Sequence, residues 1–270
     1  MKSNRVLFVS TEITPYLPEN EISKLCRYLP QGVQEHGKEI RTFMPRFGCI
    51  NERRNQLHEV IRLSGMNLII NDTDHPLIIK VASIPAARMQ VYFIDNDDYF
   101  HRKQILKDDK GNFFADNDER AIFYARGVLE TVRKLRWSPD VIHCQGWFTA
   151  LIPLYVKKLF KEDPLFSHTK VVFSVYNDEF PGTLDANFKK KTLLEGIKNK
   201  DVEQLNDPTY VNLIKFASQY SDGMIVGSEH INSEVSAFLE TYKKPVLKYQ
   251  GMENYVKAYT DFYDQVFDQE

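Results

Sequence analysis

The sequence predicts an α/β protein built on a parallel sheet with helices on its faces. Short runs rich in Val, Ile and Phe recur along the chain, and helix-length amphipathic segments separate them. Most of the runs are continuously apolar, which is typical of strands that are buried on both faces. The predicted strands are Arg5 to Ser10, Glu39 to Met44, Gln90 to Ile94, Asp140 to Cys144, Val171 to Val175 and Gly223 to Gly227.

One stretch departs from this alternation of strand and helix. Between Glu59 and Ile94, two prolines (Pro76 and Pro85) and several short β-rich pieces occur without a helical segment between them. This pattern predicts a β-hairpin insertion in the sheet.

The strongest helical pattern runs from Asn117 to Leu135, where apolar residues recur at 3.6-residue spacing beneath a charged face. A second amphipathic segment lies at the C-terminus. Its apolar face carries Tyr255, Tyr259, Phe262, Tyr263, Val266 and Phe267. We expect residues 1–250 to form one domain and residues 251–270 to form an aromatic helix that packs back on it. Docking of this helix to a second copy or to another protein is the alternative.

Composition and charge exclude several classes of protein. The 270 residues contain 35 Lys and Arg against 37 Asp and Glu, interleaved along the chain, so no basic surface for nucleic acid is expected. The most apolar segment, Ala150 to Val156, is far shorter than the roughly 20 residues that span a bilayer. The apolar run Val6 to Val9 is too short for a signal peptide. We therefore expect a cytoplasmic protein without a membrane anchor.

Metal and redox chemistry are not indicated either. The three cysteines, Cys26, Cys49 and Cys144, lie far apart and form no Cys-x-x-Cys pair. Two acidic runs, at 71–74 and 95–98, resemble short metal-binding loops, but no second set of ligands occurs at a known spacing. The sequence therefore predicts no metal ion and no bound cofactor.

The loop after the first strand is the expected place for a phosphate in a parallel sheet, because strand ends and helix N-termini meet there. Thr11 to Glu21 contains no glycine, and Pro18 removes an amide donor. Glu19 and Glu21 add negative charge where a diphosphate would bind. Asn20 is also a good helix N-cap, so a purely structural role accounts for the same residues.

Several motifs, in order along the chain, resemble the N-terminal half of bacterial glycogen synthases and plant starch synthases. These enzymes have two Rossmann-like domains and transfer glucose from ADP-glucose to an α-1,4-glucan. The matching motifs are Val6 to Glu12 with Pro15, Leu29-Pro30, Met44 to Gly48, Val91 to Asp95, Asp116-Asn117 with Arg120, Asp140 to His143 with Trp147, Thr149 and Ala150, Val171 to Val175, and Ser221-Asp222 to Ser228.

The resemblance also identifies three site positions at which this chain differs from the family. The family's first loop carries Lys-x-Gly-Gly, which approaches the diphosphate and the glucose, whereas this chain has Pro18-Glu19-Asn20-Glu21. Its His-x-His-Asp-Trp-His motif, with an active-site aspartate, is here His143-Cys144-Gln145-Gly146-Trp147-Phe148, so Gly146 replaces the carboxylate. Its active-site histidine before asparagine is replaced by Tyr176, which precedes Asn177. The family's C-terminal domain has no counterpart after about Lys244.

These differences predict a catalytically degenerate domain of storage-polysaccharide metabolism that acts as a binding or regulatory protein. No catalytic residue is expected, and a glucan or a nucleotide sugar is the expected ligand. The candidate ligand-binding residues are Thr11, Glu12, His143, Gln145, Trp147 and Asn177. One alternative is a glycosyltransferase whose missing half is supplied by another chain. Another is a carbohydrate-binding module in which Trp147, Phe148 and Tyr176 are exposed and stack on sugars.

Overall fold

The computed structural model describes residues 3–251 and 253–269, so Met1, Lys2, Met252 and Glu270, which fall within the two predicted domains, lie outside the described residues. A ten-stranded mixed sheet is found in this part of the chain, in the order β10-β9-β8-β7-β1-β2-β6-β5-β3, and β4 pairs with β5. The strands are β1 (Arg5–Val9), β2 (Glu39–Pro45), β3 (His58–Glu59), β4 (Met66–Ile70), β5 (Thr73–Ile84), β6 (Met89–Asp95), β7 (Val141–Gln145), β8 (Lys170–Val175), β9 (Gly223–Val226) and β10 (Val246–Leu247).

The predicted strands are confirmed, with ends that shift by one residue at most. The pairs from β10 to β6 along the sheet are all parallel. The chain runs from β1 to β2 and β6 on one side, then returns to β7 on the other side of β1. This reversal opens a crevice at the carboxyl ends of β1 and β7, which is where ligands bind in sheets of this kind.

The predicted hairpin insertion is also present. β4 and β5 pair antiparallel from Met66↔Leu77 to Ile70↔Thr73, which leaves Asn71 and Asp72 as a two-residue turn. Both turn residues have positive φ, 49° and 63°, as tight hairpin turns of this length require. β5 continues antiparallel to β6 and so joins the insertion to the parallel sheet.

Helices cover both faces of the sheet. They are α1 (Glu21–Glu35), α2 (Asp97–Phe100), α3 (Asn117–Leu135), α4 (Ile152–Lys157), α5 (Phe188–Lys191), α6 (Tyr210–Tyr220), α7 (Ser233–Glu240) and α8 (Tyr255–Phe267). The predicted helix from Asn117 to Leu135 coincides with α3. Short 3-10 helices cover Pro85–Ala87, Trp147–Thr149 and Asn199–Asn206. Among the described residues, no helix is long and apolar enough to cross a membrane.

Alternation along β1 divides the apolar core into two layers, because successive side chains of a strand point to opposite faces. Leu7 and Val9 belong to the larger layer, which includes α3 and α6. Val6 and Phe8 belong to the smaller layer, which includes α1 and the aromatic face of α8. The sheet is therefore covered on both sides around its centre.

Helix α8 packs on its own sheet through the aromatic face that the sequence predicts. Tyr259, Phe262 and Tyr263 are buried in the smaller layer. The Tyr263 hydroxyl hydrogen-bonds Nδ1 of His143, a residue of β7, at 2.8 Å. The aromatic face is therefore occupied by the chain's own core.

A polar contact fixes the far end of α8. Oδ1 of Asp264 accepts hydrogen bonds from the Ser3 amide at 2.9 Å and from the Ser3 hydroxyl at 2.8 Å. The buried Lys38 ammonium lies 2.6 Å from the same oxygen. This contact joins the end of α8 to the chain just before β1 and β2.

Gly32 allows the close approach of α1 and α8. A Cβ atom at residue 32 would lie 2.6 Å from Cγ2 of Val256, which is too close for any real contact. We expect Gly32→Ala to lower the free energy of unfolding by about 1–2 kcal/mol, because overpacking exceeds the gain in helix propensity. Urea denaturation measures the difference. In a Val256→Ala background the same substitution should be neutral or stabilising, and equal effects in both backgrounds would contradict this packing of α8.

Candidate functional site

The crevice at the carboxyl ends of β1 and β7 is bordered by three segments. They are the first loop, which begins at Ser10; the turn at Gly146 after β7; and the turn at Tyr176 after β8. The amide of Gly146 donates to the Ser174 carbonyl at 3.1 Å, which holds the second and third segments together. The three site positions at which this chain departs from the family it resembles lie on these segments.

The first loop is held by the cap of α1. The side chain of Asn20 accepts from the Ser23 amide at 2.7 Å, and the Asn20 amide donates to the Ser23 hydroxyl at 2.9 Å. The predicted N-cap role of Asn20 is therefore confirmed. Asn20 also donates a hydrogen bond to the carboxylate of Glu12. Burial raises the pKa of Glu12, and this hydrogen bond offsets part of the shift.

The rest of this loop is exposed and negatively charged. Pro18, Glu19 and Glu21 are all solvent-exposed. The ammonium of Lys24 lies 2.5 Å from Oε1 of Glu19, and Oε1 of Glu21 accepts from the Tyr249 hydroxyl at 3.0 Å. The ammonium of Lys24 is therefore already paired with a carboxylate of this loop.

Gly146 has a backbone conformation that favours glycine. Its φ is 82° and its ψ is 166°, a region that is essentially restricted to glycine. A Cβ atom here would lie 2.5 Å from Oδ2 of Asp178, a residue of the turn after β8. The space that a side chain at position 146 would enter is therefore filled by a carboxylate from the neighbouring strand end.

Asp178 is the polar centre of this edge. Oδ2 accepts from the Trp147 amide at 3.0 Å, and Oδ1 accepts from the Tyr210 hydroxyl at 2.9 Å. Burial raises the pKa of Asp178 to about 6, even though both hydrogen bonds favour the ionised form, and the negative charge of Glu12 adds to the rise. Asp178 therefore titrates near neutral pH.

Tyr210 adjusts to either charge state of Asp178. Its hydroxyl lies 3.0 Å from the Tyr176 carbonyl as well as 2.9 Å from Asp178. A hydroxyl has one proton to donate, so ionised Asp178 competes with the carbonyl for it. When Asp178 is protonated, it can donate to Tyr210, and Tyr210 can donate to Tyr176.

Tyr176 is buried beneath the edge and does not line the crevice. A Cβ atom at Gly227 would lie 2.3 Å from its ring, so Gly227 provides the space for the ring. The side chain joins the smaller core layer with α8, and Nε2 of Gln145 donates to its hydroxyl at 3.3 Å. Burial holds the pKa of Tyr176 well above its usual value.

His143 is part of the core. Its ring lies between the Ser174 hydroxyl, 2.6 Å from Nε2, and the Tyr263 hydroxyl, 2.8 Å from Nδ1. Complete burial lowers the pKa of His143 to about 3, so the ring is neutral at physiological pH. This histidine holds α8 on the sheet.

The alternative of a carbohydrate-binding module with exposed aromatic residues at the strand ends is not supported by the structure. Trp147, Phe148 and Tyr176 are at most 2% exposed. The Trp147 ring packs against Phe180 and Phe113, with ring centroids 4.7 and 5.8 Å apart. None of the three aromatic rings presents a face for stacking on a sugar.

The candidate ligand-binding residues thus fall into two groups. Thr11 and Glu12 are half-buried and Asn177 is exposed, so these three lie at the surface of the edge. The others lie in the interior: His143, Gln145 and Trp147. Sequence reasoning missed Asp178, although a polar residue directly after the singled-out pair Tyr176-Asn177 at a strand end is a signal that could have found it.

The acidic runs have structural roles. The buried carboxylate of Asp95 lies 3.0 Å from Nε of Arg46 and 2.9 Å from Nζ of Lys80. Asn96 caps α2, and the run at 71–74 contains the turn of the β4–β5 hairpin. Across residues 3–251 and 253–269, no group of three or more His, Cys, Asp or Glu side chains could hold a metal ion.

The fold and the crevice define a Rossmann-like α/β protein with a polar site at the switch point of its parallel sheet. The chain belongs to the family of starch synthase catalytic domains, whose profile matches residues 5–252. It is 36% identical over 196 residues to a glycogen synthase of Chlorobium limicola, covering 72% of this chain and 40% of that protein. It is 32% identical over 240 residues to one of Pelodictyon phaeoclathratiforme, covering 88% of this chain and 48% of that protein.

A solved structure has the same fold. The catalytic domain of starch synthase IV from Arabidopsis thaliana, bound to ADP and acarbose, superposes with a TM-score of 0.73 at 19% identity. The superposition covers 92% of this chain and 51% of that one. The chain thus spans about half the length of the relatives that it matches.

Asp178→Asn should change how stability depends on pH. The folded-state pKa of about 6 exceeds the unfolded value of about 3.9, so the folded state binds the extra proton and loses stability as pH rises between these values. We expect the free energy of unfolding of Asp178→Asn, relative to wild type, to rise by about 2 kcal/mol from about pH 4 to about pH 7.5. Urea denaturation at both pH values measures this. A difference that does not change with pH would contradict the assignment.

Proposed function

We propose that this chain is a starch/glycogen synthase-like domain that does not itself transfer glucose. In this proposal it acts as a binding or regulatory protein in α-1,4-glucan metabolism. In this proposal residues 1–250 belong to the Rossmann-like domain, and the segment 251–270 contributes α8 (Tyr255–Phe267), which completes its core. The observation that carries the proposal is the crevice at the carboxyl ends of β1 and β7, where Gly146 and the buried Tyr176 stand at the positions that the resemblance assigns to a carboxylate and a histidine.

The substitutions at the crevice support the loss of catalysis. The resemblance places an active-site carboxylate at position 146 and an active-site histidine at position 176. Gly146 has no side chain, and the Tyr176 ring is buried beneath Gly227. Replacing a histidine by a buried phenol removes a group that can gain or lose a proton near neutral pH.

Charge in the first loop supports weak binding of nucleotide sugars. A diphosphate needs cations and free amide donors. The loop instead presents Glu12, Glu19 and Glu21, and Lys24 already pairs with Glu19. Each unfavourable interaction between unit charges a few ångström apart near a surface costs on the order of 1–4 kcal/mol.

The second candidate function is a glycosyltransferase whose other half belongs to a separate chain. The match of residues 5–252 to the family of starch synthase catalytic domains favours it. A protein partner or a second copy would have to contact surfaces other than the aromatic face of α8, which is buried. The altered positions lie in this half, which makes the binding role the better explanation of the site.

The pure protein should incorporate no glucose from ADP-glucose into glycogen. Radiolabelled transfer over hours measures this, with a full-length glycogen synthase as the positive control. The physical reason is that even one missing donor to a developing negative charge costs about 3 kcal/mol, or roughly a hundredfold in rate. Transfer well above a protein-free blank would overturn the proposal.

Calorimetry distinguishes the binding role from the second candidate. We expect maltoheptaose and glycogen to bind, and ADP, ADP-glucose and UDP-glucose to give no measurable heat. Nucleotide binding would favour the transferase with its other half in a second chain. If none of the five ligands binds, the regulatory role would require a protein partner instead of a glucan.

A further inference from the structure

The carboxylate of Asp178 lies where a side chain of residue 146 would lie. The distance from Oδ2 to the Cβ position built on Gly146 is 2.5 Å, well inside van der Waals contact. Two donors from different elements fix it there: the Trp147 amide after β7 and the Tyr210 hydroxyl of α6. Gly146 and Asp178 are therefore complementary, because the missing side chain of Gly146 leaves the volume that the Asp178 carboxylate fills.

The groups around this carboxylate need hydrogen-bond donors. Each Asp178 oxygen accepts one hydrogen bond from a side chain or neighbouring amide and has capacity for another. Glu12 accepts from Asn20 and is half-buried beside the same crevice. A ligand that satisfies this edge must bring several donors.

The charge around Asp178 determines which ligands with hydrogen-bond donors can bind at this edge. The titratable groups that interact with Asp178 are Glu12 of the first loop, Cys26 of α1 and Tyr210 of α6, and none of them is a cation. Lys24, the cation of the first turn of α1, is engaged by Glu19. A phosphate would be repelled, whereas the hydroxyls of an uncharged sugar donate to carboxylates without that penalty.

We propose that Asp178, placed by Gly146 into the volume next to β7, is the specificity-determining residue of this edge and selects an uncharged glucan over a nucleotide sugar. This inference rests on the proposed function, because it names the residue that would give the crevice its ligand class. Asp178 accepts sugar hydroxyls in its ionised form and excludes phosphate by charge. Protonation removes the charge-assisted part of that binding.

The test compares wild type with Asp178→Asn, and with Glu195→Gln as a matched control that removes one exposed carboxylate away from the crevice. Maltoheptaose affinity is measured by calorimetry at about pH 5 and about pH 7.5. Wild type should bind roughly five- to tenfold more tightly at the higher pH, since charged acceptors form stronger hydrogen bonds. Asp178→Asn should bind as weakly as protonated wild type at both pH values, and Glu195→Gln should match wild type.

A second measurement keeps the result interpretable if the variant is unstable. The Trp147 amide, which donates to Asp178, should show an NMR shift that titrates near pH 6 and moves on addition of maltoheptaose. Equal maltoheptaose affinity of wild type and Asp178→Asn would overturn the inference and leave the proposed function intact. The inference would also be overturned if wild type bound no maltoheptaose and its Trp147 amide did not respond to the sugar. Glucose transfer by the pure protein would instead overturn the proposed function.

Discussion

The reversal of strand order at β1 is the constraint on which the rest of the structure depends. β2 pairs with one side of β1, and β7 pairs with the other side. The connections that lead to these two strands therefore lie on opposite sides of β1 and leave a crevice at the carboxyl ends of the strands. The first loop and the turns after β7 and β8 meet at that crevice whatever side chains they carry. Substitutions in these three segments can therefore change the chemistry of the site without changing the core.

Much of the fold can be read from the sequence because parallel strands leave a strong signal. Most of the predicted strands are apolar on both faces, and α3 has an unbroken 3.6-residue pattern, so their positions follow from local periodicity. The β4–β5 hairpin was indicated by prolines and the absence of a helix, but its turn was not, since Asn71-Asp72 lacks the glycine that usually marks such turns. The aromatic stripe of α8 indicated that this helix packs back on its own domain, but it did not indicate that His143 of β7 would be one of its contacts.

The site is harder to predict because its groups come from different segments. The resemblance, read position by position, indicates that Gly146 replaces a carboxylate. The three-dimensional arrangement is needed to show that the Asp178 carboxylate fills the same volume. The alternative that the aromatic residues at the strand ends are exposed fails for a similar reason. Trp147 and Tyr176 occupy spaces left by neighbouring glycines and rings, which no local pattern reports. His143, by contrast, is buried because α8 covers it.

The contact between Ser3 and Asp264 brings the two ends of the described chain together at the amino edge of the sheet, opposite the crevice. Ser3 and Asp264 are therefore neighbours in space although 261 positions separate them in the sequence. A short linker from the end of α8 to the start of β1 could connect these two elements, and new termini could be opened in the exposed hairpin turn at Asn71-Asp72. Such a circular permutant would keep the sheet order and the crevice, and it would place fusion partners or fluorescent labels at the tip of the insertion.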